Sequence, residues 1–167
     1  MKRFFVITVC LSLFLTSQAQ EQCRIGYINH SLLLSKMSEV SQVEAQLSQL
    51  NALYTAEYER MTSEYNGKVK DYIAISKSLS EPIKLARQAE ITEYEERMAI
   101  YKKRYTEELK KQTSILWEPI HKQVKKTIEK VAKEQFVTVV LDQETPLYMS
   151  ESCVDLLPFV KQELGVE

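Results

Sequence analysis

The sequence predicts an α+β fold that is mostly helical: a long antiparallel α-helical hairpin inserted in a small β-sheet body. Three observations carry this. The 167 residues include only 3 Gly and 4 Pro, and Gly falls far below the usual share of about 7%. Few tight turns are available, so a sandwich or barrel of many short strands is nearly excluded. Apolar residues recur at steps of three and four through two long stretches, the mark of an apolar stripe on a helix. Those two stretches also match each other in residue type when the chain is folded back between them.

The chain opens with an export signal over residues 1–19. Lys2 and Arg3 form a positive start, Phe4 to Thr16 is apolar, and Ser17-Gln18-Ala19 is a small-x-small cleavage site. The apolar stretch is well short of the roughly 20 residues that span a bilayer. Cleavage removes Lys2 and Arg3 and leaves 20 basic against 23 acidic residues, a net −3. A near-neutral chain argues against nucleic acid as a partner, because phosphate binding needs a basic excess. Cys23 and Cys153 are then the only cysteines left. In an oxidising compartment they are a candidate disulfide joining the two ends of the chain, with two partly buried free thiols as the alternative.

Residues 24–29 form a short strand candidate. From Ser35 to about Ser76 the stripe runs through Val40, Val43, Leu47, Leu50, Tyr54, Tyr58, Met61, Tyr65, Val69 and Tyr72. A second stripe covers about 83–134, through Ile91, Tyr94, Met98, Tyr101, Tyr105, Leu109, Leu116, Ile120, Val124, Ile128 and Val131. Pro82 lacks an N–H and its ring opposes the carbonyl of Ser78, so the chain breaks into two helices at a tip near 76–82. Ser80 is placed to cap the second helix, with Pro82 in its first turn.

Folding between Leu79 and Ser80 pairs residues whose numbers add up to 159: Tyr54 with Tyr105, Tyr58 with Tyr101, Met61 with Met98, Tyr65 with Tyr94. Two stripes of equal period must coincide somewhere, but nothing forces tyrosine onto tyrosine and methionine onto methionine. Each arm helix of about 40 residues is roughly 60 Å long. Pro119 interrupts the second stripe and predicts a kink where the arm (35–119) leaves the body. The body is 20–34 together with 120–167.

Val137 to Leu141 is rich in β-branched residues and predicts a buried strand. A turn at 142–145 and a second strand over Pro146–Ser150 follow. Pro158 opens a terminal helix, 158–164. Three short strands and one short helix bury too little to be firmly stable alone, so the body is expected to associate with other copies.

Enzymatic chemistry finds no footing. No two of Gly26, Gly67 and Gly165 lie close enough for a phosphate loop. His30 and His121 have no spaced carboxylate or cysteine beside them, so no metal cage or catalytic group is assigned. Asp142 and Asp155 suit turn and cap roles, and Trp117 suits an anchor between arm and body. No cofactor is expected.

The order of these features resembles the Skp/OmpH family of periplasmic chaperones. The likeness runs from the export signal through Ile25-Gly26-Tyr27-Ile28-Asn29, the hairpin, Pro119-Ile120 with Val124, Ile128 and Val131-Ala132, to the strand ending at Asp142. The resemblance implies a homotrimer whose arms surround a cavity. It also implies ATP-independent holding of unfolded outer-membrane proteins in the periplasm, with no enzyme activity. The family's basic surface is missing here, so only weak proximity to membrane or lipopolysaccharide is expected, with Lys77, Lys84 and Arg87 near the tip as loose candidates. For the clients, Tyr58, Met61, Tyr65, Tyr94, Met98 and Tyr101 are the candidate contacts: tyrosine joins an apolar ring to a polar tip, and methionine adapts its shape. By the logic of the stripe, each of the six suits a packed seam between the arm helices first. A coiled-coil tether of the cell envelope is the alternative function.

Overall fold

The computed structural model describes residues 23–166; the export signal expected at 1–19 lies outside the described residues. Strand β1 (Ile25–Ile28) is followed by helix α1 (His30–Ser35) and helix α2 (Ser38–Ile75). A 3₁₀ turn (Ser76–Ser78) leads into helix α3 (Glu81–Glu134). Strands β2 (Val139–Asp142) and β3 (Val154–Asp155) and helix α4 (Leu157–Leu164) complete the chain.

β1 is the centre of a three-stranded sheet in the order β2-β1-β3. It runs parallel to both neighbours, with Ile25 beside Val139 and Gly26 beside Val154. Parallel neighbours need a long crossover, and helices α2 and α3 supply it between β1 and β2. Gly26 is in the central strand because a Cβ there would lie 2.9 Å from Val137 Cγ1 and 3.1 Å from Leu156 Cδ1. One core unites the body: Ile28, Leu33, Met37, Val40, Val43, Ile120, Val124, Val131, Ala132, Leu156 and Val160 are buried together. Leu47, Leu116 and Trp117 pack against it. The body's apolar interior thus climbs into the base of both arm helices, and Trp117 sits at that junction.

Several local expectations are corrected. Residues 30–35 form a helix of their own, started by Asn29, whose Oδ1 accepts from Leu32 N at 2.7 Å. Ser80 holds the N-cap position of α3, but its side chain makes no cap bond; its carbonyl accepts from Lys84 N at 3.0 Å. Pro119 lies inside α3, which runs as one helix to Glu134, and Ile120 and Val124 after it are locked in the body core. No strand forms over Pro146–Ser150. Leu147 and Tyr148 face solvent there, and the free edge of β1 is taken by Val154–Asp155 instead. The terminal helix begins at Leu157, whose N–H donates to Asp155 Oδ1 at 2.9 Å. Asp142 serves the turn: its Oδ1 accepts from Glu144 N at 3.2 Å and its carbonyl from Thr145 N at 3.1 Å.

α3 ends in a Schellman-type cap. Val137 N donates to Ala132 O at 2.8 Å and Phe136 N to Lys133 O at 3.1 Å. Phe136 occupies the left-handed position of that cap, φ 53°, where glycine is favoured, and its ring is 81% exposed. The strain is uncompensated by packing within the chain. Phe136→Gly should therefore raise stability by about 1 kcal/mol. Leu33→Ala, at a fully buried site, should lower it by about 3 kcal/mol. Urea unfolding followed by circular dichroism checks both.

Candidate functional site

The arm is built by one seam. α2 and α3 lie antiparallel, and the seam's core is Met61, Tyr94 and Met98, with Tyr58, Tyr65 and Tyr101 packed against them. The six residues singled out from the sequence therefore gather in a single cluster. Below them Tyr54 stacks on Tyr105, centroids 5.7 Å apart and planes 25° apart. Tyr105 also meets Tyr58 at 6.4 Å and Tyr101 at 5.8 Å. The predicted Tyr54–Tyr105 pair stands in register, and Tyr58 also meets the Tyr105 ring, one turn along from its expected partner Tyr101.

Polar atoms finish the seam. Tyr94 O–H donates to Glu64 Oε2 at 2.5 Å, and Tyr101 O–H donates to the Tyr54 carbonyl at 3.4 Å. Lys68 reaches across the seam to Glu90, which also accepts from Arg87 at 2.9 Å. The bond from Lys68, then that from Arg87, holds the Glu90 carboxyl below the usual range. Lys68 and Arg97 lie 5.7 and 5.2 Å from the centre of the Tyr94 ring, and Lys102 is 6.0 Å from that of Tyr58. Arg60 pairs with Glu57 at 2.6 Å and also bonds Glu64. Of the tip candidates, Lys84 pairs with Glu81 at 3.1 Å and Arg87 with Glu90. Arg60, Lys68, Lys84 and Arg87 are thus engaged with neighbouring carboxylates.

The burial pattern separates two kinds of apolar residue. Met61, Tyr94 and Met98 are buried, and Tyr58, Tyr65 and Tyr101 are half-buried. A second set stands in solvent: Leu53, Ile73, Ile75, Ile83, Leu85, Ile100 and Ile115, between 45% and 69% exposed. The stripe count passed over these. Their signal was an aliphatic residue directly beside a stripe position, as in Leu53-Tyr54, Tyr72-Ile73, Ile100-Tyr101 and Ile115-Leu116. A neighbour in sequence lies about 100° round the helix, so each widens the apolar face beyond what the partner helix covers. Ile73, Ile75, Ile83 and Leu85 crowd the tip.

On the body, His30 and His121, far apart in sequence, line the same groove with Val124, Ile128, Val137 and Val140. Cys23 and Cys153 are free thiols. The β1–β3 register pairs Gly26 with Val154 and Tyr27 with Asp155, and neither cysteine is part of it. Among the described residues no group of three or more His, Cys, Asp or Glu is arranged to bind a metal ion, and no helix is long and apolar enough to cross a membrane.

These features define a class: a mostly helical protein in which a long antiparallel helix pair with exposed aliphatics rises from a small parallel sheet. Residues 24–164 match the family described as Outer membrane protein (OmpH-like), and the chain belongs to that family. A solved structure of similar fold is that of a candidate outer membrane chaperone (OmpH-like) from Caulobacter crescentus CB15. It shares 14% identity at a TM-score of 0.68, over 84% of this chain and 82% of that one. No curated protein matches the chain.

The Tyr94–Glu64 bond gives the seam a pH signature. The hydrogen bond to Glu64, followed by burial, raises the Tyr94 pKa above the ordinary phenol value. Stability from a group with a raised folded-state pKa is complete below about pH 10 and is lost as pH climbs through the folded value. Tyr94→Phe should cost about 1 kcal/mol near neutral pH, and its deficit should narrow in alkali. Urea midpoints of both proteins across that interval test this; a deficit unchanged by pH would show that the bond contributes nothing.

Proposed function

We propose that this chain is an ATP-independent holdase that works in the periplasm. On this reading it shields unfolded outer-membrane proteins within a cage of arms carried by a homotrimer. The observation that carries the reading is the solvent-facing aliphatic set on α2 and α3, with its cluster at the tip. A helix pair whose seam is already satisfied by its own tyrosines and methionines gains nothing internally from exposed Leu53, Ile73, Leu85 or Ile100. An unfolded barrel protein offers what such a surface can cover: alternating apolar side chains and unpaired strand edges that otherwise aggregate. Weak, scattered contacts suit clients of many sequences, and none of them calls for a nucleotide. Client contact by Tyr58, Tyr65 and Tyr101 falls to their exposed edges, whereas Met61, Tyr94 and Met98 stay in the seam.

Assembly through the body draws support from its surface. β2 is an edge strand. Val139 of this strand is exposed, and exposed Phe136, Leu147 and Tyr148 lie close to it in sequence. Beside the sheet, the groove shared by His30 and His121 holds about 580 Å³ with mostly aliphatic walls. A body of three short strands gains stability by covering such surface with another copy. Family membership supports the chaperone role and the outer-membrane clientele.

The chain without residues 1–19 should delay aggregation of a urea-unfolded outer-membrane protein when present in a few-fold excess. It should do so with no nucleotide added. The pair Ile73→Ser and Leu85→Ser should weaken that protection several-fold while helix content stays unchanged. Wild-type protein that fails to delay aggregation, yet binds one folded envelope partner, would favour a tether instead. Light scattering should return three chains per particle, and a stable folded monomer would count against the cage.

A further inference from the structure

The two cysteines outside the export signal come from opposite ends of the chain, yet the sheet brings them to one place. Cys23 lies two residues ahead of β1, and Cys153 directly precedes β3. β1 and β3 are parallel with Gly26 beside Val154, so one further step of the same register sets Cys153 beside Ile25. Cys23 is two positions from Ile25, and side chains two apart along an extended strand share a face. Both cysteines line one depression, together with Arg24, Ile25, Phe136 and Ser152. One strand spacing across and two residue rises along put their Cα atoms about 8 Å apart. A disulfide needs about 7 Å or less. Cys23 precedes the ladder, so a small shift of its backbone closes the gap without breaking the pairing of β1 with β3.

We propose that Cys23 and Cys153 form a reversible disulfide that clips β3, and the loop before it, onto β1. The oxidant is a disulfide donor, protein or small molecule. The exposed Cys23, as thiolate, attacks one donor sulfur, which forms a mixed disulfide and releases one donor thiolate. The half-buried Cys153 thiolate then attacks the Cys23 sulfur and releases the second donor thiolate. Two electrons pass from the cysteine pair to the donor, and the two cysteine protons leave to solvent or to the donor thiolates. The clip has a clear target: β3 is two residues long and rests on two register pairs with β1. The bridge would close a loop that includes both arm helices, a constraint that raises the unfolding temperature. The inference does not depend on what the arms bind.

The chain without residues 1–19 would be incubated with oxidised glutathione and, in parallel, with a phosphine reductant. The oxidised sample should lose both titratable thiols and weigh about 2 Da less than the reduced one. It should yield a cross-linked peptide pair holding both cysteines from a single chain, and should melt several degrees higher. Cys23→Ser and Cys153→Ser should each carry glutathione on the cysteine that remains. Two persisting thiols, glutathione on both cysteines of the wild type, or bridges between separate chains would each overturn the proposal. The thiol count on the unaltered sequence decides the matter even where a serine variant fails to fold.

Discussion

Two helices of about 40 residues can stand away from a small body only if each covers the other's apolar stripe, because isolated helices are marginal in water. The Tyr–Met seam meets that demand. Its rings bring large apolar area, and their hydroxyls reach acceptors, Glu64 for Tyr94 and the Tyr54 carbonyl for Tyr101. Seven of the nine tyrosines lie on the two stripes. A seam of leucines alone would slide more easily between registers; stacked rings and the cross-helix Lys68–Glu90 pair resist that.

Once the seam is closed, everything outside it is available for other work. The exposed aliphatics flank the seam along the arm and concentrate at the turn between the helices. Some of the charges on the arm form local pairs, such as Arg60 with Glu57 and Glu64. Exposed pairs of this kind add little stability. The arm thus separates structure from surface: rings are buried in the seam, and aliphatics stand exposed beside it.

The body obeys a different constraint. A parallel sheet of three short strands has little interior of its own, so it borrows from the helices that leave it. Val40, Val43, Ile120 and Val124 belong to the arm helices and also to the body core. That shared core explains why α3 passes Pro119 without interruption. The proline removes one backbone bond, while buried residues immediately after it keep the helical path. α4 closes the other side through Leu156 and Val160, and ends at Gly165, whose left-handed φ of 68° suits glycine.

Periodicity is a local property, and most of what depends on it was legible in the sequence. The two stripes, the break at Pro82, the pairing of Tyr54 with Tyr105 and the parts played by Asp142 and Asp155 follow from spacing and residue type. The six seam residues were found as a group for the same reason. Spacing alone left undecided whether they face a partner helix or the solvent. Tertiary contact decided that Met61, Tyr94 and Met98 are interior, and that aliphatics such as Leu53 and Ile100, one residue aside, are exposed. It also decided which segment becomes a strand. Pro146–Ser150 has strand-like residues, but a strand needs an edge to pair with, and β1 gave its edge to Val154–Asp155. Sequence determined which residues are able to pair; only the folded chain settled which of them meet, because each strand edge and each helix face admits one neighbour at a time.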